Sequence, residues 1–542
     1  MLSISFTQPP FIGDSQYYVT QIARVADHQD PPAHLWESGH ILWRPLGYVA
    51  APLARKTIPD QVAWSPELKI YSGLALLNIA CGLLSAWLIF DMGRRLSGSM
   101  AAAVVLVLLF VWGDAVLAYS QSATSYMAGL AALNAGLWLQ IAPRAFGKVE
   151  AACSGVLFAL AALFWLPYVV VFPAACCAAL LMRPRFESRR RVQWTVLSAA
   201  VAGMSLLAAV LSAAALAGVH SVSEGVRWFS AAAHGMHQHG QLIRAVTGCS
   251  RLLFDLGRDG IYFKRFLFHD PYHVVTVTAL IGYSLWKVLL FYVFLGSAFW
   301  MAWCSPRGRN ALVLLSLAAA PALFAALVVF EPSSPERFLP VLPFLLLSIA
   351  AAWSGARASS SGRGAVIAVS AFALLLPLAN LRAFVSPDSG YHAQAAAQVA
   401  ALHANASSSD AVYTVTMAEP LEDLSLHPFD PLNRAQPASP NWIIDGMRSD
   451  LSQWRSRFAR LVESDWAQAR AVWVEKAALA DAPPGSLDWV EGDEQTIRWR
   501  DVPAFFHELE FDRAIGGADG FLRLAPSAAN QARFRGLESV NR

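Results

Sequence analysis

Long apolar runs alternate with short charged segments over most of the first 385 residues. A membrane-spanning helix needs about 20 predominantly apolar residues. Runs of this kind lie at 69–91, 99–119, 123–142, 192–218, 274–303, 311–330, 337–353 and 364–385. The pattern predicts an all-α, polytopic membrane domain over residues 69–385.

The stretch 151–182 is also apolar, but it is too long for one straight crossing and contains Pro167 and Pro173. Proline interrupts helices. We interpret the stretch as a re-entrant pair of short helices that returns to the side on which it began. The predicted membrane domain then has about nine spans plus this re-entrant pair.

The basic residues between the runs set the predicted orientation, because cytoplasmic loops collect Lys and Arg. The re-entrant interpretation of 151–182 places all of the following on one side: Arg94, Arg95, Arg144, Lys148, Arg183, Arg185, Arg189, Arg190, Arg191, Arg307, Arg309, Arg357 and Arg363. The opposite, non-cytoplasmic side then holds the segment 1–68, the loop 219–273, the turn 331–336 and the tail 386–542.

Both ends of the chain differ from the apolar centre. The first residues have no basic region and are not a signal peptide. Either the first predicted span translocates this segment or a further helix precedes it, and we expect the second. From Ser386 onward charge rises, 391–404 reads as an amphipathic helix, and 411–416 and 469–475 read as strands. This pattern predicts a small soluble α/β domain over 386–542.

Composition supports the membrane assignment. Charged residues make up 15% of the 542, hydrophobic residues 56%, and the formal net charge is +3. Soluble proteins carry about 25% charged residues. The deficit excludes a disordered chain, a soluble multidomain enzyme and a nucleic-acid binder driven by bulk charge. Six Cys without a CxxC pair support neither a disulfide framework nor a zinc knuckle.

The first group of candidate residues is the string Gly13-Asp14-Ser-Gln-Tyr17-Tyr18. A carboxylate next to aromatic rings at a membrane surface can act as a general base toward a hydroxyl group. Tyr17 can stack on a sugar ring, as can Tyr126 farther along the chain. The alternative interpretation is that Asp14 only caps a helix beginning near Ser15.

The second group lies in an amphipathic stretch, His40-Ile-Leu-Trp-Arg44-Pro-Leu-Gly-Tyr48. Arg44 can bind a lipid phosphate because a guanidinium bonds phosphate in a bidentate way, and His40 can assist it. The alternatives are that Arg44 extends to lipid headgroups and that His40 is a structural residue of the interface.

The third group is Glu331-Pro-Ser-Ser-Pro-Glu336-Arg337-Phe-Leu-Pro-Val-Leu-Pro, a turn followed by an apolar run. Arg337 can bind phosphate, or it can pair with either glutamate. Asp114 is an acid inside the predicted span 99–119. An acid inside a span suggests function by default, although solvation at a helix end explains it equally well.

A metal site is not supported by the sequence. His234, His237 and His239 lie in the loop 219–273 without an acid or cysteine pair nearby, so we interpret them as a solvated loop rather than as metal ligands. No phosphate-binding glycine loop is present.

These groups together resemble the GT-C superfamily of membrane glycosyltransferases, which includes protein mannosyltransferases and lipid A aminoarabinose transferases. The resemblance covers about residues 10–385 and depends on Asp14, the His40–Tyr48 stretch, the re-entrant stretch around Gly155 and the string Glu336-Arg-Phe-Leu-Pro-Val-Leu-Pro-Phe344. Family members usually carry a second acid beside the first, but here Ser15 follows Asp14.

The resemblance implies transfer of a sugar from a polyprenyl-phosphate donor to an acceptor on the non-cytoplasmic face of the inner or plasma membrane. Asp14 would be the general base, with Arg337, Arg44 and His40 at the donor phosphate. Tyr17, Glu331, Glu336, Asp114 and Tyr126 would contact substrate. No cofactor is expected, and a divalent metal is unsupported.

Two other functions stay open from the sequence. One is a transporter or flippase of a lipid-linked saccharide, which usually shows two related halves. The other is an assembly factor whose tail binds partner proteins. The donor sugar and the acceptor, whether glycolipid, polysaccharide or protein, cannot be deduced from the sequence.

Overall fold

The computed structural model describes most of the chain as helices joined by short turns. It covers residues 13–58, 66–141, 147–183, 188–231, 242–256, 261–328, 332–384, 410–413, 454–483, 498–517 and 520–539, with residue 490 and a few positions between 398 and 407. Of the predicted helix 391–404, the described residues 398, 400–402 and 404 are helical, and the others lie outside the described residues. Glu331 and the three loop histidines His234, His237 and His239 also lie outside them.

Seventeen α-helices precede residue 385 in the described part of the chain. In chain order they are α1 Gly13–Ala26, α2 Trp43–Thr57, α3 Pro66–Ser97, α4 Met100–Val111, α5 Asp114–Ser120, α6 Tyr126–Ile141, α7 Lys148–Phe164, α8 Phe172–Met182, α9 Ser188–Leu216, α10 Val222–Ala231, α11 Leu242–Arg251, α12 Ile261–Phe268, α13 Val277–Leu280, α14 Trp286–Trp303, α15 Pro306–Val328, α16 Leu342–Ala358 and α17 Ser360–Phe384.

Six of the described helical stretches are long and apolar enough to cross a membrane: Glu67–Ser97, Arg189–Leu216, Val277–Trp303, Pro306–Val328, Pro335–Ala358 and Ser360–Asn380. A seventh is obtained if α4 and α5, which are bent by 61° at their junction, form one broken span. These lengths and compositions mark the chain as an integral, multi-pass membrane protein. The predicted count of about nine spans stays a prediction.

The stretch 151–182 is interrupted, as its prolines predict. Helix α7 ends at Phe164, a 3₁₀ segment covers Leu166–Val171, and α8 follows. Pro167 and Pro173 each lie in the first turn of their segment, where the missing N–H costs no hydrogen bond. The re-entrant course of this pair stays a prediction.

Helix α7 packs closely between α6 and α9. A Cβ on Gly155 of α7 would lie 2.5 Å from the carbonyl oxygen of Ser198 on α9, so only glycine permits this approach. Small residues at such contacts let helix backbones approach each other in membranes.

A buried polar cluster also joins these helices. The Gln140 side chain of α6 donates to the hydroxyls of Ser154 and Ser198, at 3.2 and 3.3 Å, and accepts from the backbone N–H of Ala179 on α8 at 3.0 Å. The cluster satisfies polar groups that would otherwise be costly inside a membrane.

The chain divides into two compact units. The first comprises Met1–Thr57, Ile70–Leu256 and Leu285–Val385, and the second comprises Ile58–Lys69, Gly257–Ser284 and Ser386–Arg542. The three-part division into 1–68, 69–385 and 386–542 stays a prediction.

The tail contains a small α/β fold. Its strands are β1 Ala411–Tyr413, β2 Val472–Glu475, β3 Phe511–Ile515 and β4 Phe521–Leu524, and its helices are α18 Trp454–Ala467, α19 Asp501–Phe506 and α20 Ala528–Ser539. The strand order is β1-β2-β4-β3, with β1 parallel to β2 and the other pairs antiparallel. The two predicted strands are thus present: β2 begins later than predicted, and residues 414–416 of the first lie outside the described residues. Strands β3 and β4 were not predicted.

A fully buried carboxylate lies in the core of this tail fold. Asp465 of α18 accepts a hydrogen bond of 2.5 Å from the phenol of Tyr413 and lies 3.6 Å from a guanidinium nitrogen of Arg470. Tyr413 is itself completely buried among Phe458 and other core residues.

We expect Tyr413→Phe to destabilise the tail by about 2 kcal/mol, because it removes a hydrogen bond to a buried charged group. Hydrogen exchange of the full-length protein should then be faster in β1 and β2. Gln531→Ala, on the exposed side of α20, is the control. Unchanged hydrogen exchange in Tyr413→Phe would mean that the hydrogen bond from Tyr413 to Asp465 does not stabilise the tail.

Candidate active site

Asp14 lies in the first turn of α1 and bonds to a residue 112 positions away. One of its carboxylate oxygens accepts a hydrogen bond of 2.5 Å from the phenol of Tyr126, the first residue of α6. An acid in the first turn of a helix is favoured by the helix dipole. The hydrogen bond from Tyr126 on α6 shows that Asp14 also contacts a second helix and does not only cap α1. Two of the residues predicted from the sequence therefore meet.

A second carboxylate belongs to the same group of side chains. Glu336, in the 3₁₀ segment Pro335–Val341, accepts a hydrogen bond from the phenol of Tyr119 at the end of α5. The rings of Tyr119 and Tyr126 meet edge to face, with centroids 4.8 Å apart. Asp14 and Glu336 are thus joined through two touching tyrosines.

Arg337 lies beside Glu336, the second of these carboxylates. One of its guanidinium nitrogens is 3.7 Å from Glu336, and the guanidinium carbon is 5.6 Å from the centre of the Trp165 ring. The Trp165 ring in turn lies 4.6 Å from the ring of Tyr126. A guanidinium near the face of an indole ring is attracted by the ring's quadrupole, so Trp165 helps to orient Arg337.

Arg44 is buried at the start of α2 and pairs with a carboxylate. It lies 2.6 Å from Glu37 and donates to the carbonyl oxygen of His34 at 3.0 Å. Its guanidinium carbon lies 4.5 Å from the centre of the Tyr17 ring and 5.5 Å from that of Tyr18. A donor phosphate at Arg44 would therefore compete with Glu37.

His40 occupies a buried position between the two groups of side chains. Its Nδ1 atom lies 2.7 Å from the Ser125 hydroxyl and 3.2 Å from the carbonyl oxygen of Phe164. Its ring centroid lies 4.8 Å from that of Tyr18 and 6.4 Å from that of Tyr126. His40 thus connects the Arg44 group to the Asp14 group.

Tyr18 is fully buried between these charges, and its phenol has no hydrogen-bond partner among the described residues. Burial first, and then the negative charges of Asp14 and Glu37, raise the pKa of Tyr18 well above its usual value of 10.0. Tyr18 therefore remains a neutral phenol at physiological pH.

Asp114 belongs to a neighbouring buried group. Its backbone N–H donates to the Leu253 carbonyl at 3.2 Å, and its carboxylate interacts electrostatically with Asp255, Arg251 and Lys287. Arg251, at the end of α11, also donates to the Ser333 carbonyl at 2.9 Å, in the turn that leads to Glu336. Gly248 of α11 lies so close to the Pro332 carbonyl that a side chain there would clash.

The structure thus brings together Asp14, Tyr126, Glu336 and Arg337, and His40 connects them to Arg44 and Tyr17. Sequence reasoning missed Tyr18, Glu37, Tyr119, Trp165 and Arg251. Tyr18 directly follows Tyr17, and Glu37 lies three residues before His40, but only their contacts across the fold distinguish them from other interface residues. Within the described residues, no group of three or more His, Cys, Asp or Glu side chains could hold a metal ion.

Comparison of the structure with solved structures gives a match along the full chain. ArnT from Cupriavidus metallidurans bound to undecaprenyl phosphate matches with a TM-score of 0.53 at 13% identity, covering 98% of this chain and 96% of ArnT. The chain has the GT-C fold.

Two further structures match. ArnT in the apo state matches this chain with a TM-score of 0.51 at 14% identity, covering 87% of this chain and 90% of ArnT. An Archaeoglobus fulgidus oligosaccharyltransferase in complex with Zn and sulfate has a TM-score of 0.43 at 13% identity. The match covers 98% of this chain and 75% of the oligosaccharyltransferase. No protein-family model matches the sequence, and the search of curated proteins finds no match.

Proposed function

We propose that the chain is an integral-membrane glycosyltransferase that moves a sugar from a polyprenyl-phosphate donor to an acceptor. The observation that carries the proposal is the meeting of Asp14, Glu336 and Arg337 around Tyr119, Tyr126 and Trp165. The fold shared with an ArnT structure that binds undecaprenyl phosphate supports a transferase rather than a transporter.

Asp14 is the general base in this proposal. The acceptor hydroxyl attacks the anomeric carbon of the donor sugar, the bond from that carbon to the phosphate oxygen breaks, and the hydroxyl proton passes to the Asp14 carboxylate. A carboxylate can accept about four hydrogen bonds, so the bond from Tyr126 is compatible with one from the acceptor. Holding acceptor and base together lowers the barrier by removing the entropy cost of their encounter.

Arg337 is the principal cation for the departing polyprenyl phosphate, which gains negative charge as the bond to the sugar breaks. Its side chain is 21% exposed, so a ligand can reach it. Charge-assisted hydrogen bonds stabilise such a leaving group most when the donors are already oriented, and Trp165 and Glu336 orient Arg337. Arg44 and His40 assist if the phosphate displaces Glu37 from Arg44.

The remaining substrate and topology assignments are part of the same proposal. Transfer takes place on the non-cytoplasmic face of the inner or plasma membrane, where the tail also lies. Tyr17, half exposed beside Arg44, contacts substrate, whereas Asp114 acts from the neighbouring group with Arg251. Glu331 lies outside the described residues.

The test is sugar transfer in membranes that contain the full-length protein. A panel of synthetic donors is added, each consisting of undecaprenyl phosphate joined to a labelled hexose or pentose. The release of undecaprenyl phosphate from each donor is then measured. We expect release with at least one donor, and none in membranes without the protein. If no donor in the panel is consumed and undecaprenyl phosphate itself does not bind the purified chain, the proposed function is wrong.

A further inference from the structure

Tyr126 is placed to hold Asp14 rather than to bind a sugar through its ring. The residue is only 2% exposed. Trp165, Tyr119 and His40 lie around its ring, with centroids at 4.6, 4.8 and 6.4 Å. Little ring surface is left for a sugar to stack on, whereas the phenol is in direct contact with the carboxylate.

The position of Tyr126 is itself fixed by the surrounding fold. The phenol of Tyr168, in the 3₁₀ segment after α7, donates to the Tyr126 backbone carbonyl at 2.8 Å. Gly129, one turn along α6, lies against the ring of Tyr168, with which a Cβ at this position would clash at 2.5 Å. The Tyr126 phenol is therefore held in place before any substrate binds.

The same arrangement recurs at the second carboxylate. Tyr119 donates to Glu336 as Tyr126 donates to Asp14, and the two rings pack at an interplanar angle of 89°. Edge-to-face aromatic pairs have a preferred geometry. Moving either ring would therefore disturb the other carboxylate as well.

We propose that Tyr119 and Tyr126 are a pair of positioning residues that fix the carboxylates of Asp14 and Glu336 relative to each other. This inference rests on the proposed function. Tyr126 acts through Asp14, the base that receives the acceptor proton, and Tyr119 acts through Glu336, which orients Arg337 at the donor phosphate. Neither tyrosine exchanges a proton with substrate.

Removing only the phenol of Tyr126 separates positioning from sugar stacking, because Tyr126→Phe keeps the ring. We expect kcat to fall about 10- to 100-fold, the factor associated with losing a hydrogen bond to a charged group, with little change in the donor KM. The donor is the undecaprenyl-phosphate sugar of the panel that is consumed fastest. A kcat equal to that of the unmodified protein overturns the proposal.

Two further variants complete the kinetic test: Tyr119→Phe, which removes the second phenol of the pair, and the control Tyr292→Phe. Tyr119→Phe is expected to raise the donor KM more than it lowers kcat, and the double variant is expected to depart from the product of the single effects, because contacting residues couple. Tyr292→Phe removes a phenol that donates to the Val246 carbonyl at 2.9 Å on an exposed surface, and it should leave both constants unchanged. Independent effects of Tyr119→Phe and Tyr126→Phe would contradict the pairing.

A spectroscopic readout keeps the test independent of activity. In the purified full-length protein, the infrared difference between the unmodified chain and Asp14→Asn isolates the carboxylate bands of Asp14. Tyr126→Phe should shift these bands, and Tyr292→Phe should not. A shift without sugar transfer would retain the positioning role and reject the transferase, whereas unshifted bands would reject the positioning role even if sugar is transferred.

Discussion

Replacing Asp14 with Asn is expected to lower the kcat of sugar transfer about 100- to 10,000-fold while the protein still folds. The substitution keeps the size of the side chain and an oxygen that can accept the Tyr126 hydrogen bond of 2.5 Å, but the amide cannot take up a proton from the acceptor. General-base catalysis contributes about 100- to 10,000-fold to a rate, so kcat should fall by that factor. Release of undecaprenyl phosphate from the labelled donor is the measurement.

Asp27→Asn is the matched control for this substitution. Asp27 directly follows α1, the helix that carries Asp14, and forms an ion pair of 2.7 Å with Arg55 in which the aspartate side chain is 40% exposed. Exposed pairs contribute little to stability, so this variant should retain activity. Full activity in Asp14→Asn would remove the base assignment, and loss of activity in both variants would indicate damage to α1 instead.

Replacing Arg337 with Gln is expected to weaken binding of undecaprenyl phosphate about 10- to 100-fold. A hydrogen bond to a charged group contributes about 1.5–3 kcal/mol, and each 1.4 kcal/mol corresponds to a factor of ten in Kd. Calorimetric titration of the purified protein with undecaprenyl phosphate measures the change. The Kd of Arg337→Lys should lie between that of the unmodified protein and that of Arg337→Gln. Lysine keeps the positive charge but lacks the planar guanidinium that lies over Trp165.

Arg309→Gln is the control for the loss of a positive charge, because Arg309 is exposed in the first turn of α15. It should bind undecaprenyl phosphate as the unmodified protein does. The melting temperature of Arg337→Gln must also be compared, because Glu336 loses its ion-pair partner at 3.7 Å while keeping the hydrogen bond from Tyr119. Unchanged binding in a folded Arg337→Gln variant would exclude Arg337 from the phosphate site.

Local patterns in the sequence were sufficient for the class of fold. Apolar runs of sufficient length can only be helices in a membrane, and the prolines at 167 and 173 locate the break between α7 and α8. The strands β3 and β4 were missed because Phe511–Ile515 and Phe521–Leu524 contain charged residues, which weaken an apolar pattern. Their pairing across a short turn, rather than hydrophobicity, defines them.

The candidate site was predictable only in part for a similar reason. Asp14, Arg44 and Arg337 are visible in the sequence because a charge beside apolar residues is unusual. Tyr119 and Trp165 are not, since aromatic residues are common at membrane interfaces. Their importance arises from contacts between positions far apart in the chain, such as that between Tyr119 and Glu336, 217 residues apart.

The polar cluster around Gln140 has a consequence for biogenesis. Gln140 lies near the end of α6, and Tyr126 is the first residue of the same helix. The amide gains its partners on α7, α8 and α9 only after those later segments have been synthesised and inserted. Helix α6 therefore completes these contacts only after its neighbours are inserted, and a nascent chain that ends before α7 would leave the Gln140 amide without these three partners inside the membrane.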